Sequence, residues 1–169
     1  MTSHLHLRPA SNNDRDEIIA VVASILDEYG LPYEPDGSDA DLNDIDASYT
    51  DVGGFFMLLV DEVDRIAGTF GVMPVDGTTC KLRKMYLLPE TRGCGNGRTM
   101  LTYAMTEARR RGFTTMILET KAILVDAIRL YERSGFTKHG GPTVSSRCDQ
   151  IYRRSLDDIP YTDQPETQP

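Results

Sequence analysis

Cysteine is scarce. Cys80, Cys94 and Cys148 are an odd number and lack the close pairing that holds zinc, so neither a disulfide framework nor a metal site is expected. No apolar run approaches the ~18 residues of a membrane span. The opening MTSHLHLRPA also lacks the apolar core of a signal peptide. The expectation is a cytoplasmic protein without a membrane partner and with reduced thiols. Internal repeats are absent. Cations are nearly missing from one stretch, since 12–64 holds fifteen Asp and Glu and one basic residue, Arg15. The stretch 65–154 reverses this, with sixteen Lys and Arg against seven acids. The formal charge of the whole chain is −8, which argues against a nucleic-acid partner, because domains that bind one are usually basic. A basic half suits a ligand bearing phosphates and an acidic half could attract a cationic amine; ordinary solvated surface is the alternative for both.

What is present fits one domain with a full-sized core, at 169 residues of which 40% are hydrophobic. That domain is expected over 1–155. The remainder, 156–169, carries three prolines and four acids and is expected to be a disordered tail. A short strand at 5–8 ends at Pro9. Ser11 and Asp14 then stand in a capping-box arrangement, and Ile18, Val22, Ile25, Leu26 and Tyr29 recur at helical spacing before Gly30. From 31 to 50 the pattern breaks into Pro, Gly, Asp and Ser and reads as a long, acidic, mobile loop. Three β-rich runs follow, at 55–60, 66–75 and 80–88, with turns at 61–65 and at Asp76-Gly77. An amphipathic helix is predicted at 98–111, a strand at 115–119, a second helix along Leu124, Ala127, Ile128 and Tyr131, and closing strands at 136–138 and 148–153.

The run LRKMYLLPETRGCGNG at 82–97 says most about chemistry. A strand breaks at Pro89, and Arg92, Gly95 and Gly97 open the helix at 98. The first turn of a helix has N–H groups without intrahelical partners and a partial positive charge, and glycine lets an anion come close. This loop is neither a P-loop, since no Lys-Ser or Lys-Thr follows the glycines, nor a Gly-x-Gly-x-x-Gly dinucleotide turn. It resembles the pyrophosphate loop of the GNAT superfamily of N-acetyltransferases, whose acyl donor is acetyl-coenzyme A (acetyl-CoA). About thirty residues on, ILVDAIRLYERSGF at 123–136 resembles that superfamily's later helix, with a tyrosine and then a Gly-Phe. The likeness extends over about 5–154.

The resemblance implies an α/β fold, with a mixed, mostly antiparallel sheet of six or seven strands flanked by helices. Acetyl-CoA would lie between two splayed central strands. It implies main-chain contacts to the pantetheine arm and thioester from Met85, Tyr86 and Leu87, which read equally well as plain core strand residues. Phosphate contacts would come from Gly93, Cys94, Gly95, Asn96 and Gly97, with Arg92 and Arg98 adding charge or lying on a solvated face. Tyr131 matches the family's proton donor to the departing thiolate. A phenol stays protonated at neutral pH, so the role suits it, although its face with Leu124, Ala127 and Ile128 also fits core packing.

Two positions depart from the family pattern. Lys81 stands where histone-type members carry a glutamate base, and Leu124 where many members carry an asparagine. Glu119, at the end of the next strand, is the candidate base, directly or through water; an acid from the 31–50 segment is an alternative, and His139 a weaker one. The implied activity is direct transfer of acetyl to a primary amine of a small molecule. Acetylation of a protein N-terminus or lysine, and a CoA-binding module without turnover, are the alternatives. Dimerisation is common for the fold, so a homodimer is compatible with it.

Overall fold

A continuous apolar strand at the centre of the chain's packing sets the architecture. In the computed structural model, which describes residues 4–160, β2 (Phe55–Val60) is buried along its whole length. Phe55, Met57 and Leu59 point into one core, and Phe56, Leu58 and Val60 into another. Its unbroken apolar run FFMLLV is what a strand covered on both faces requires. Seven strands form one sheet in the order β1-β2-β3-β4-β5-β7-β6. The others are β1 (His6–Pro9), β3 (Ile66–Pro74), β4 (Thr79–Leu87), β5 (Thr115–Thr120), β6 (Thr137–His139) and β7 (Gln150–Ser155). All neighbours are antiparallel except β4 and β5. The expected α/β, mostly antiparallel sheet is therefore what forms.

Helix α1 (Arg15–Glu28) covers one face through Ile18, Val22 and Leu26. Its entry is the predicted capping box. Asn13 N–H donates to Ser11 Oγ at 3.3 Å, and Ser11 N–H donates to the Asp14 carboxylate at 2.9 Å. Helix α2 (Asn96–Arg110) covers the other face with Met100, Leu101, Ala104 and Ala108, and α3 (Val125–Arg133) adds Tyr131 to the same core. No described helix is long and apolar enough to cross a membrane.

One expectation is corrected. The segment 31–50 is not a mobile loop: it folds into a 3₁₀ turn at Ala40–Asn43 and a π-type turn at Asp46–Thr50, and Leu42, Ile45 and Tyr49 are fully buried beneath them. Three large apolar side chains and inward-turned acids outweigh the turn-forming composition. Residues 156–160 of the expected tail are described, and they pack in part. Leu156 is buried, and its N–H donates to the Thr114 carbonyl at 2.7 Å. Residues 161–169 of the expected tail lie outside the described residues.

Candidate active site

The site begins where two strands part. β4 pairs with β5 only from Thr79↔Thr115 to Leu82↔Leu118, yet β4 runs on to Leu87 and β5 to Thr120. A bulge helps turn β4 away. Its register against β3 shifts between Thr69 and Gly71, and Lys84 sits at φ 53°, a left-handed conformation costly for a residue with a side chain. Thr69 Oγ1 pins the bulge by donating to the Lys84 carbonyl at 2.7 Å. Past Leu82, the edge of β4 that faces β5 has no ladder partner. Met85, Tyr86 and Leu87 all line the resulting cleft, of about 1130 Å³. Leu87 offers less than the sequence suggested, because its carbonyl already accepts from Arg92 Nε at 2.9 Å.

The glycine loop closes one end of the cleft. Gly93 and Gly95 take φ of 76° and 86°, so both occupy the left-handed region that glycine enters without strain. Gly97 packs instead: a Cβ there would stand 3.1 Å from Leu130 Cδ2. Asn96 Nδ2 donates to the Thr91 carbonyl at 2.8 Å and ties the loop to itself. The first bond of α2 runs from Thr99 N–H to the Gly95 carbonyl at 3.0 Å, which leaves the preceding N–H groups without intrahelical partners. Such a cradle of backbone donors at a helix start fits a pyrophosphate. Arg98 is exposed, as is Cys94. Arg92 differs from expectation. Its guanidinium is engaged bidentately by Glu28 at 2.6 and 2.8 Å and lies over the Tyr29 ring, so it staples the loop to α1.

Tyr131 lies on the far wall, 6% exposed, with its ring 5.9 Å from that of Phe136. Packing and cleft lining thus coexist in one residue. Its hydroxyl has no hydrogen-bond partner among the described residues. Burial raises its pKa above the ordinary phenol range, with smaller contributions from Tyr86 and Cys148. Burial likewise pushes Tyr86 up to about 12. Leu124 occupies the position before α3 and lines the cleft without capping that helix.

Glu119 is held on every side. Its carboxylate accepts from the N–H groups of Val144 and Ser145 at 2.8 and 3.1 Å and pairs with Lys81 at 3.2 Å. Burial raises its pKa, but those donors together outweigh it and hold the carboxyl below its usual range. That makes it a weak base and a strong clamp on the 143–148 turn. Lys81, found where a glutamate was looked for, is thus the cation of this pair. His139 is exposed on β6.

Sequence reading missed the most buried part of the site. Asp39, 0% exposed, accepts from Lys84 Nζ at 2.6 Å, from both Nη atoms of Arg147 at 2.7 and 2.9 Å, and from Glu34 N–H at 2.9 Å. Asp41 accepts from the Tyr49 hydroxyl and lies 3.3 Å from Lys84 Nζ. Only the density of acids before residue 46 hinted at this, and it read as surface. Ser38 and Ser145 hydroxyls also meet, at 2.9 Å. The segment 31–50 and the turn at 143–148 are therefore joined to each other, and Arg147, which joins them, also lines the cleft.

The comparisons agree with this geometry. The sequence model of the acetyltransferase (GNAT) family matches residues 19–136. An uncharacterised N-acetyltransferase of Escherichia coli strain K12, YjgM, is 34% identical over 135 residues, covering 77% of this chain and 80% of its own. Human N-acetyltransferase 8B is 30% identical over 105 residues, 59% of this chain and 46% of that one. Among solved structures, a GNAT-family acetyltransferase from Staphylococcus aureus Mu50 superposes with a TM-score of 0.86 at 22% identity, over 91% of this chain and all of the other. YncA of Salmonella typhimurium, solved with its cofactor acetyl-CoA, does so with a TM-score of 0.70 at 20% identity, over 95% and 99%. Family match, a relative aligned over four-fifths of its length and splayed-strand architecture converge: this chain is a member of the GNAT family of acetyltransferases, enzymes that use acetyl-CoA.

Proposed function

We propose that this acetyltransferase acts on the primary amine of a small molecule, by direct attack on the thioester, with Tyr131 as proton donor. The observation that carries the reading is the unpartnered Tyr131 hydroxyl on the wall of a cleft that opens where β4 leaves β5. The backbone of Met85 and Tyr86 then orients the pantetheine arm, and Gly93, Cys94, Gly95, Asn96 and Gly97 offer their N–H groups to the pyrophosphate, with Arg98 nearby. The amine nitrogen bonds to the acetyl carbon as the carbon–sulfur bond breaks. The amine loses a proton to solvent, and Tyr131 gives one to the sulfur. A buried phenol is protonated at neutral pH and so holds the proton that the departing thiolate takes.

A small acceptor is favoured over a polypeptide in this reading, because the Asp39–Arg147 and Ser38–Ser145 contacts hold the 31–50 segment against the 143–148 turn, whose Arg147 lines the cleft. Glu119 in this reading positions the 143–148 turn and takes no proton. The test pairs calorimetric titration of acetyl-CoA with a thiol-release assay over small amines and peptides. Tyr131→Phe should bind acetyl-CoA within about twofold of wild type and lose roughly 10²–10⁴ in kcat. Full turnover by Tyr131→Phe refutes the acid role. Tight cofactor binding with no thiol release from any amine would favour a module without turnover.

A further inference from the structure

The acid-rich and base-rich parts of the sequence meet at the acceptor end, and their charges do not cancel. Arg83, Lys84 and Arg147 share two carboxylates, Asp39 and Asp41, through contacts of 2.6 to 3.6 Å. The network therefore carries one surplus positive charge. The neighbouring Lys81–Glu119 pair is neutral. Burial raises the pKa of Tyr33, Tyr49, Tyr86, Tyr131 and Cys148 around it, so none of these supplies an anion at neutral pH; Glu34, which meets Asp39 through its N–H, and Arg15, beside Tyr33, are one charge of each sign. An uncompensated charge in so enclosed a place is expensive.

The surplus can be placed. Arg147 directs its fork at Asp39 and the Pro32 carbonyl. Lys84 Nζ is surrounded by Asp39, Asp41 and the Ser38 carbonyl. Arg83 is different: Nη2 donates to the Ser38 carbonyl at 2.7 Å, while Nη1 has only the Met73 sulfur at 4.0 Å and Asp41 at 3.6 Å. Its side chain is 23% exposed and lines the cleft one residue beyond the last β4–β5 pair, on the stretch of β4 that leads to Tyr86. A partly accessible guanidinium with donors to spare matches a carboxylate, which it can hold with two parallel bonds.

We propose that the acceptor carries a carboxylate beside its amine, as an amino acid does, and that Arg83 binds that carboxylate. The proposal rests on the acetyl-transfer reading above. It also reverses what composition suggested: the acids of 34–46 that could have drawn in a cationic amine are turned inward and neutralised, and the wall that meets the acceptor is positive.

The experiment uses matched acceptors. Alanine, leucine, serine, glutamate and lysine are each compared with their own carboxamide and decarboxylated amine in the thiol-release assay. At least one free amino acid should exceed its carboxamide by about tenfold or more in kcat/KM. Arg83→Gln should raise the KM of that amino acid at least tenfold, leave kcat within about threefold and leave the carboxamide unaffected, and Arg83→Lys should recover part of the loss. Unchanged acetyl-CoA affinity in Arg83→Gln shows that the variant is folded. A second readout needs neither turnover nor variant: with CoA present, wild type should bind the N-acetyl amino acid more tightly than its N-acetyl carboxamide. Carboxamides or simple amines used as well as amino acids, or a preference that survives Arg83→Gln, would overturn the proposal while sparing the acetyl-transfer reading. No thiol release from any acceptor would sink that reading, and the product-binding comparison would then decide the carboxylate site by itself.

Discussion

Replacing Asp39 by Asn removes one charge at the best-buried point of the network while nearly preserving shape. Its carboxylate is 0% exposed and accepts four bonds of 2.6 to 2.9 Å from Lys84, Arg147 and the Glu34 N–H. In the variant, Lys84 and Arg147, with side chains 3% and 7% exposed, face a neutral amide. Breaking a buried pair from one side costs about 3–5 kcal/mol. For a chain of this size that corresponds to a fall of roughly 6–20 °C in Tm. Urea denaturation at pH 7, followed by circular dichroism, measures it directly.

Acidification supplies a second, independent check. Burial raises the Asp39 carboxyl, but Arg147, Lys84 and the Glu34 N–H outweigh it and hold its pKa well below the usual range. A depressed folded-state pKa gives stability that is complete above the unfolded value, near pH 4, and lost as pH falls further. The gap between wild type and Asp39→Asn should therefore be constant above about pH 5 and shrink below pH 4. A loss under about 1 kcal/mol, or a gap indifferent to acid, refutes the reading of Asp39 as the charge that holds this end together.

Other consequences concern the donor loop and the clamp. Cys94 is exposed in the glycine loop, Cys80 is buried with its thiol pushed up to about 12, and Cys148 is half-buried. One thiol should therefore react promptly with a maleimide, and acetyl-CoA should slow that reaction at least about tenfold; labelling at Cys94 indifferent to acetyl-CoA would remove the loop from the donor site. Glu119→Gln weakens the hold on the Val144 and Ser145 N–H groups, so the KM of the acceptor should rise more than kcat falls. A kcat loss of about 10³ with a changed pH profile would make Glu119 the base instead.

Local chemistry made much of the fold legible. The Ser11–Asp14 capping box, the apolar run of β2 and the glycines at 93 and 95 each act through neighbours a few residues away, and each stands where the pattern put it. The roles proposed for Tyr131 and the backbone of β4 come from family resemblance alone, since a plain strand or core tyrosine has the same composition. The segment 31–50 was misread because Pro, Gly and Asp dominate it, whereas Leu42, Ile45 and Tyr49 decide its fate. Arg92 reads as a phosphate contact or a solvated side chain because its partner, Glu28, lies 64 positions away. The ionic network was illegible for the same reason: a charge in a sequence looks solvated until its distant partner is known.

That distance has a kinetic side. The donor loop is closed on itself by Asn96 reaching Thr91, five residues back, and docks on α1 through Glu28, 64 positions from Arg92. The acceptor end waits on Asp39 finding Lys84 across 45 positions and Arg147 across 108. Long-range closures are entropically slow, so a refolding chain should complete its phosphate cradle before its acceptor wall. Competence to hold the acetyl donor is then expected to return ahead of competence to choose an amine.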